Sequence, residues 1–314
     1  MPECTGCTPH NEGMSSERKA LTGIAFATLL LVALMMGANH VAARFAFNHG
    51  VDVVTAVSCR SALTALVVGV LLWQQKASWA TTPRQKKFLL GIGALIAVQS
   101  LCLYSAVARL PVALALLAFN TYPLSTALWA RVLYGHRAER ALLLAMPLML
   151  IGLALALDVL GAASGLGAAA HWSLIGVGIA FALAASATFG LAMVLTQHEV
   201  GSLDGRLRTF STMGLVAVFA ITGALSQDGF HWPTALPGWW GLGLLSFLYG
   251  TAFTILFTVL PRLGVVGNSA IMNVEPVFAL VLAWALLDQA IASIQVVGAL
   301  LVVATVIWLG LRKR

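Results

Sequence analysis

Long apolar runs separated by short polar links dominate this sequence. An α-helix needs about 20 mostly apolar residues to cross a bilayer, and ten runs of this kind can be read. A strand of a membrane β-barrel has about 10 residues of alternating polarity, whereas these runs do not alternate. The pattern therefore predicts an all-α integral membrane protein with ten transmembrane helices. The predicted segments 1 to 10 cover residues 21–43, 52–73, 88–108, 111–133, 141–158, 173–196, 209–226, 239–260, 267–287 and 290–311.

The composition also favours a membrane protein. Hydrophobic residues make up 60% of the 314 positions and charged residues 9%, against about 25% charged residues in an average soluble domain. The first 20 residues are polar and predict a disordered tail. The apolar run that follows is too long for the core of a typical signal peptide. Met14 is an alternative start, which would place residues 1–13 outside the native protein.

The net charge of +7 becomes informative once the basic residues are placed on the predicted topology. With a cytoplasmic N-terminus, 15 of the 18 Lys and Arg residues lie on the cytoplasmic side, Arg44 and Arg109 lie on the opposite side, and Arg60 lies inside segment 2. Cytoplasmic loops of membrane proteins are enriched in Lys and Arg. The sequence therefore predicts a multi-pass protein of the inner or plasma membrane with both termini in the cytoplasm, and no nucleic-acid partner. The 15 residues are Arg18, Lys19, Lys76, Arg84, Lys86, Lys87, Arg131, Arg137, Arg140, Arg206, Arg208, Arg262, Arg312, Lys313 and Arg314.

A shift of 153 residues aligns the two halves of the chain. Each half contains Arg-Leu-x-Val, at Arg109 and Arg262, and then Asn-x-x-Pro, at Asn120 and Asn273. Because each half has five segments, the second half enters the membrane from the opposite side, as in the inverted repeats of secondary transporters. We expect a disordered cytoplasmic tail (1–20), a first five-helix repeat (21–158), a Gly/Ala-rich linker (159–172) and a second five-helix repeat (173–311).

Small residues recur every four positions in segments 6 and 8. Such faces allow close packing of membrane helices through van der Waals contact, and a sliding contact between moving halves is the alternative. The residues are Gly178, Ala182, Ser186 and Gly190 in segment 6, and Ser246, Gly250, Thr254 and Thr258 in segment 8.

Tryptophans near segment ends predict anchors at the membrane interfaces, where amphipathic rings are enriched. Trp129 and Trp284 lie deeper, and we interpret them as helix-packing residues in preference to pathway residues. The six predicted anchors are Trp73, Trp172, Trp232, Trp239, Trp240 and Trp308.

One acid lies deep in the predicted membrane. Of the 11 Asp and Glu residues, only Glu275 is near the middle of a segment, where a charge is costly and tends to serve function. It precedes Pro276, which interrupts helical hydrogen bonding, and the equivalent pair in segment 4 is Tyr122-Pro123. We expect the two breaks to meet at the repeat interface near the midplane, where transporters bind substrates. The predicted site residues at the breaks are Glu275, Asn273, Pro276, Asn120, Tyr122 and Pro123.

Arg60 is the only basic residue well inside a segment. In a structural role, the Arg60 side chain would form hydrogen bonds to neighbouring helices or extend its guanidinium towards the membrane interface. As a functional group it would pair with Glu275 or with a substrate carboxylate. Glu275 is either held by a neighbouring helix or binds substrate or exchanges protons. Weaker pathway candidates, which equally fit interhelical hydrogen bonding, are Tyr104, Gln99, Asn39 and His40.

Catalytic and metal-binding motifs are absent from the sequence. It has neither His-Glu-x-x-His nor Gly-x-x-x-x-Gly-Lys-Ser/Thr, and no second deep acid to pair with Glu275. In the tail, Cys4, Cys7 and His10 would give three zinc ligands without a fourth. We therefore predict no enzyme, no ATP-driven pump, no cofactor and no metal site.

Several of these stretches resemble the EamA-type proteins of the drug/metabolite transporter superfamily, over about residues 18–311. The resemblance implies a ten-helix bundle with alternating access around a central cavity lined mainly by segments 1, 3, 4, 6, 8 and 9, and export of amino acids or other small metabolites. The most specific stretch is 273–280, Asn-Val-Glu-Pro-Val-Phe-Ala-Leu. The others are Met36–Asn39, Ser58–Arg60, Tyr104–Ala106 and Tyr122-Pro123.

The sequence also departs from that family pattern. Relatives often carry Trp-Gly near the end of helix 1, where this chain has Met36-Gly37 and so lacks that aromatic side chain. They often end helices 4 and 9 with Gly-Glu, where this chain has Gly135-His136 and Leu287-Asp288.

The sequence thus predicts a secondary-active, alternating-access transporter that exports small metabolites such as amino acids or amphiphilic compounds. Its partners would be a small-molecule substrate, the lipid bilayer and protons as the coupling ion. One deep acid and one Arg fit an amphoteric substrate, and a lipophilic cation fits as well. The alternatives are an uptake carrier or multidrug exporter of the same fold, and a membrane receptor or scaffold that transports nothing. The sequence leaves the substrate, the direction of transport, the coupling ion and the oligomeric state open.

Overall fold

A computed structural model describes residues 23–76, 79–136, 140–158, 168–255, 274–289 and 292–312. Within these ranges the regular secondary structure is helical, as the apolar runs predict. The helices of this part of the chain are α1 (Gly23–Phe47), α2 (Val53–Gln74), α3 (Pro83–Arg109), α4 (Val112–Phe119), α5 (Tyr122–Tyr134), α6 (Arg140–Ala156), α7 (Ala168–Glu199), α8 (Gly205–Leu225), α9 (Leu236–Thr254), α10 (Glu275–Leu287) and α11 (Ser293–Arg312).

Six spans in the described residues are long and apolar enough to cross a membrane. One of them, Val112–Tyr134, combines α4 and α5, and Glu275–Leu287 is among the shorter apolar helices. The predicted segment 9 begins at residue 267, but residues 256–273 lie outside the described ranges. The all-helical membrane fold is therefore observed, while the number of ten transmembrane helices stays a prediction. The other five spans are Phe26–Phe47, Val53–Gln74, Pro83–Arg109, Trp172–Glu199 and Gly205–Leu225.

Two helices begin five residues earlier than the hydrophobic pattern predicts, which is the largest difference of this kind in the described residues. Helix α3 starts at Pro83 because Thr82 caps it: the Thr82 hydroxyl accepts from the Gln85 amide at 3.2 Å, and the Gln85 side chain accepts from the Thr82 amide at 2.9 Å. This reciprocal capping satisfies two backbone donors. Helix α7 starts at Ala168, inside the predicted linker, where three consecutive alanines favour helix formation.

Links predicted on the same side of the membrane lie together. At the predicted cytoplasmic end, Arg84 in the first turn of α3 pairs with Glu199 at the end of α7, with Nη2 and Oε2 2.7 Å apart. At the opposite end, the Val112 amide donates to the Gln289 side chain at 3.0 Å. The structure thus groups the links as the topology requires, and which end faces the cytoplasm stays a prediction.

The helix contacts follow the repeat. A shift of 153 residues relates α1 to α7, α2 to α8, α3 to α9, α5 to α10 and α6 to α11. Accordingly, the contact of α1 with α9 has its counterpart in α7 with α3, and the contact of α1 with α10 has its counterpart in α7 with α5. Helices α2 and α8 pack on each other, as do α6 and α11. The two halves are therefore arranged around a two-fold relation, with each half completing the other.

Two equivalent glycines bring the halves into close contact. A Cβ on Gly37 of α1 would lie 3.0 Å from the Glu275 carbonyl oxygen and 3.1 Å from the Ala279 nitrogen of α10. A Cβ on Gly190 of α7 would lie 2.7 Å from the Thr126 nitrogen of α5. Gly190 is 153 residues after Gly37, and Ala279 is 153 residues after Thr126. A Cβ at Gly190 would force its neighbours to move, and a Cβ at Gly37 would make unusually tight contacts; this approach is made once by each repeat.

The small-residue faces are packing surfaces. Gly178 leaves room for the Leu110 side chain, and Ser186 is buried and bonded to the Thr121 hydroxyl at 3.0 Å. In segment 8, Ser246 is buried and Gly250 faces Thr64 of α2. In the described residues these faces make the close contacts that small side chains allow. Thr258 lies outside the described ranges.

The tryptophans divide as their depth predicts, with one exception. All six predicted anchors are exposed on the bundle surface. The Trp129 indole donates to the Ala187 carbonyl at 3.0 Å and ties α5 to α7. Trp284 was predicted to pack between helices, but it is 67% exposed. Its ring points outward because the packed face of α10 carries Ala279 and Ala283 instead.

Candidate functional site

Glu275 is the first residue of α10 and pairs with a histidine of α1. His40 Nε2 and Glu275 Oε1 are 3.3 Å apart, and the two side chains are 4% and 20% exposed. The contact depends on Gly37, which lets the start of α10 approach α1. His40 follows Gly37 by three residues and therefore lies on the same helix face. Arg60 was one predicted partner for Glu275; the structure has His40 in that place.

Tyr104 of α3 links this pair to neighbouring polar groups. Its hydroxyl donates to the Asn39 side-chain oxygen at 3.1 Å. Its ring meets the His40 ring edge-on, with centroids 5.6 Å apart. Tyr104 and Asn39 are both fully buried. The tyrosine is therefore held between α1 and α3, next to the His40–Glu275 pair.

Arg60 of α2 lies between two tyrosine rings. Its guanidinium carbon is 4.4 Å from the Tyr104 ring centroid and 4.0 Å from the Tyr249 ring centroid. Arg60 is 3% exposed, and among the described residues no carboxylate pairs with it. An arginine buried in this way is stabilised by the ring faces, but its charge is not neutralised by them.

Several buried polar atoms at this site have no hydrogen-bond partner among the described residues. Buried polar groups are nearly always bonded, so such a concentration calls for a reason. Tyr104 contacts the side chains of Asn39, His40 and Arg60, and each of the three has such an atom. The atoms are Asn39 Nδ2, His40 Nδ1, Arg60 Nε, and Ser58 Oγ and Ser61 Oγ on α2.

The break in segment 4 lies between α4 and α5. Asn120 ends α4, and its side-chain amide donates back to the Leu116 carbonyl at 2.9 Å. Tyr122 begins α5 within an aromatic cluster, its ring centroid 5.7 Å from that of Phe119 and 5.1 Å from that of Phe189. Helix α4, which leads into this break, packs against α10. The break after α4 and the start of α10 therefore lie near each other, one with an aromatic cluster and one with Glu275.

The remaining predicted residues have less prominent places. Pro123 and Pro276 lie in the first turns of α5 and α10, where a missing amide costs no helical bond. Gln99 is buried, and its side-chain oxygen accepts from the adjacent Ser100 hydroxyl at 3.4 Å. In the described part of the chain, no hydrogen bond joins the Gln99 side chain to Tyr104 or to Asn39. Asn273 lies outside the described residues.

Three residues of this region were missed or underrated from the sequence. His40 was only a weak candidate, although it is one of few ionisable groups within a segment. Tyr249 was overlooked, and its signal was a hydroxyl-bearing ring in the middle of an apolar run. Phe189 carries no signal distinguishable from ordinary core packing.

The arrangement offers proton exchange and anion recognition. A carboxyl group beside an imidazole can pass a proton to it or take one from it, because each group can bind a proton. Arg60 and Asn39 add hydrogen-bond donors. Within the described residues, no three His, Cys, Asp or Glu side chains are close enough to hold a metal ion.

Comparison with known proteins gives two clear results. The model of the EamA-like transporter family matches residues 21–157 and again residues 176–311. Solved structures similar to the chain include a crystal structure of a protein with 18% sequence identity, covering 90% of this chain and 96% of that chain, at a TM-score of 0.58. At this identity the similarity concerns the fold alone. No curated protein matches the chain.

Proposed function

The chain belongs to the EamA-like transporter family, and from that membership we propose that it is a secondary-active, alternating-access exporter of small metabolites such as amino acids or amphiphilic compounds. It is a multi-pass membrane protein of a transporter family, not of an enzyme family. The observation that carries the finer proposal is the His40–Glu275 pair, 3.3 Å apart, at the start of α10.

Alternating access requires a site between two halves that move relative to each other. The helix breaks supply this site, since α10 of the second repeat packs on α1 of the first, and α5 of the first packs on α7 of the second. A change in the angle between the halves alters both contacts together. The proposed pathway residues are those at the two breaks with Arg60, Tyr104 and Asn39, and Gln99 is a peripheral member.

Protons are the proposed coupling ion. A proton on Glu275 removes the negative charge that attracts His40, and this weakens a contact between α1 and α10. Loss of the proton restores the contact between the carboxylate and His40 and draws the same two helices together. The protonation state of one pair is thereby linked to the contact between the halves, which is the link that a proton-coupled transporter needs.

We place the protein in the inner or plasma membrane with both termini in the cytoplasm. The support is the distribution of Lys and Arg residues, 15 of 18 on one side of the predicted topology. The salt bridge between Arg84 and Glu199 lies at that end of the bundle.

An efflux screen on cells that overexpress the protein tests this function. Cells are challenged with amino acids, amino-acid analogues and amphiphilic inhibitors, and growth and intracellular solute are measured. We expect resistance to at least one compound with the wild type and none with Glu275→Ala. Glu199→Ala is the matched control, because Glu199 is also a paired, mostly buried acid but lies at the end of the bundle. Equal resistance from wild type and Glu275→Ala would remove Glu275 from the site.

A further inference from the structure

The unpartnered buried atoms around Tyr104 share a chemical character. Arg60 Nε and the Asn39 side-chain nitrogen can only donate hydrogen bonds. Arg60 contacts the Tyr104 ring, and Asn39 bonds to the Tyr104 hydroxyl at 3.1 Å. Two buried donors thus flank one side chain with no acceptor for either among the described residues. A group that supplies acceptors to both would satisfy them.

The charge of Arg60 is also unbalanced. Of the acids in the described residues, Glu275 is paired with His40, and none forms an ion pair with Arg60. The stretch 256–273 contains no Asp or Glu. The remaining four acids are in the N-terminal tail and in the link after α5: Glu3, Glu12, Glu17 and Glu139. The protein therefore brings no carboxylate of its own to Arg60 from any membrane segment.

The two tyrosines hold the guanidinium in a fixed position. Tyr104 and Tyr249 contact it at 4.4 and 4.0 Å, and both rings are buried. A planar guanidinium stacked on rings keeps its donors directed along its edge, which suits recognition of a planar carboxylate. Such preorganisation lowers the entropic cost of binding.

We propose that Arg60 and Asn39 form an anion subsite, which binds the carboxylate of the transported molecule. The inference rests on the proposed transport function and names the substrate class: small monoanionic or zwitterionic carboxylates. One unpaired arginine balances one negative charge, whereas a phosphate carries about −1.5 to −2 and would need a second cation. A lipophilic cation is excluded as a substrate at this subsite, because it would add a second positive charge beside Arg60.

Acid–amide pairs test the subsite without any mutation. The purified protein is titrated with the L-amino acids and with benzoate, each beside its carboxamide, and its thermal unfolding midpoint is followed. We expect at least one acid to raise the midpoint, and its carboxamide to bind at least about tenfold more weakly, because a hydrogen bond to a charged group is lost. No stabilisation by any acid, or equal stabilisation by acid and amide, would overturn the proposal.

Variants then assign the effect to Arg60. Arg60→Gln removes the charge and is expected to weaken the acid at least about tenfold and to abolish the acid–amide difference. Arg60→Lys keeps the charge without the planar fork, so it is expected to weaken the acid while an acid–amide difference remains. Arg109→Gln is the matched control, since Arg109 also lies over an aromatic ring, that of Phe181 at 4.9 Å, but outside the site. Acid binding that survives both Arg60 variants contradicts the assignment.

The binding titration, combined with a transport measurement, distinguishes failure of the subsite from failure of the proposed function. Solute movement is measured in parallel with the wild type in proteoliposomes. A wild type that transports cations and binds no carboxylate disproves the subsite and leaves the transporter. A wild type that binds carboxylates through Arg60 and moves no solute disproves the transporter and leaves the subsite.

Discussion

Helices α5 and α10 are equivalent in backbone, and the residues at their starts differ in chemistry. Helices α5 and α10 each have 13 residues, and their bounds, Tyr122–Tyr134 and Glu275–Leu287, differ by the repeat shift. Each has a proline in its first turn and ends at a residue with left-handed backbone, Gly135 or Asp288. Each packs on a glycine of the other repeat. The duplicated positions therefore specify the same local structure twice.

The side chains at the two breaks do not follow the duplication. Glu275 occupies the place of Tyr122, and His40 occupies the place of Met193, which is 45% exposed. The start of α10 thus has a His–Glu contact, and the start of α5 has an aromatic cluster with Phe189. The comparison indicates that the equivalent glycines and prolines preserve the same backbone structure in both repeats. The ionisable side chains of the candidate site, in contrast, lie only at the start of α10 among the two positions compared.

Replacing the two contact glycines should have the largest effect on stability. Gly37→Val and Gly190→Val each place side-chain atoms within 3.0 Å of the facing backbone, and overpacking of this kind costs about 1–3 kcal/mol. Gly37→Val is also expected to abolish transport, because it separates α10 from α1 and Glu275 from His40. Unfolding free energy in detergent and flux in proteoliposomes measure the two effects.

Gly91→Val is the control for both glycine variants. Gly91 is in α3, and a Cβ there meets no atom within 4 Å. The control therefore carries the helix-propensity change alone. If Gly37→Val were no less stable than Gly91→Val, the close approach of α1 and α10 would not matter for the fold.

Tyr104→Phe should have the next largest effect. The change removes the hydroxyl that Asn39 accepts from at 3.1 Å and leaves a buried amide with less bonding, at a cost of about 1–3 kcal/mol. Tyr249→Phe is the comparison, because the Tyr249 hydroxyl meets the sulfur of Met213 at 3.8 Å and sulfur is a weak acceptor. Unfolding titrations of the two variants should show the larger loss for Tyr104→Phe; the reverse order would contradict the assignment of Tyr104 as the linking residue.

Exchanging the residues that end α5 and α10 should give smaller changes of opposite sign. Asp288 has φ +52° and Gly135 has φ +68°, a region in which glycine is unstrained. Asp288→Gly should raise the free energy of unfolding by about 0.5–1 kcal/mol, and Gly135→Asp should lower it by a similar amount. Thermal unfolding midpoints check this pair. Destabilisation by Asp288→Gly would mean that the Asp288 side chain makes a contribution beyond its backbone conformation.

The first turn of α8 should show a small pH effect. A hydrogen bond from the Arg206 side chain holds the pKa of Asp204 below its usual value. The ionised Asp204 carboxylate therefore stabilises the fold at pH values above the pKa of an Asp in the unfolded chain, about 3.9. This stabilisation is lost as the pH falls through the lower pKa of Asp204 in the folded protein. Because the pair is partly exposed, solvent screening limits the contribution to below about 1 kcal/mol.

Asp204→Asn measures this contribution. The stability difference between wild type and variant is expected at pH 7 and should shrink below pH 4, whereas Asp228→Asn, at an exposed position, should show little difference at either pH. A difference that grows with acidity would contradict the lowered pKa.

Much of the fold could be predicted because its signals are local. Apolar runs predict the helices directly, and the equivalent prolines Pro123 and Pro276 predict where α5 and α10 begin. The helix starts at Pro83 and Ala168 were predicted too late, because capping and alanine-rich turns extend a helix beyond its apolar run. The number of ten transmembrane helices stays a prediction, because part of segment 9 lies outside the described residues.

The site was harder to predict because its contacts join distant parts of the chain. Arg60 and Glu275 were natural partners by charge alone, yet the rotation of α1 determined by Gly37 turns His40 towards Glu275. Tyr249 reaches Arg60 only through the packing of α9 on α2. The pattern within a single segment does not contain these contacts between helices. The sequence could therefore predict only which polar and ionisable residues lie within the membrane and at what depth.

Flux under an imposed pH gradient tests the central claim, that the charged break carries the chemistry. Proteoliposomes containing wild type, Glu275→Gln or Tyr122→Phe are compared with a solute found in the efflux screen. Glu275→Gln is predicted to lose the pH dependence and at least about tenfold of the flux, while Tyr122→Phe keeps the pH dependence. A Glu275→Gln protein with the pH dependence of the wild type would contradict the account.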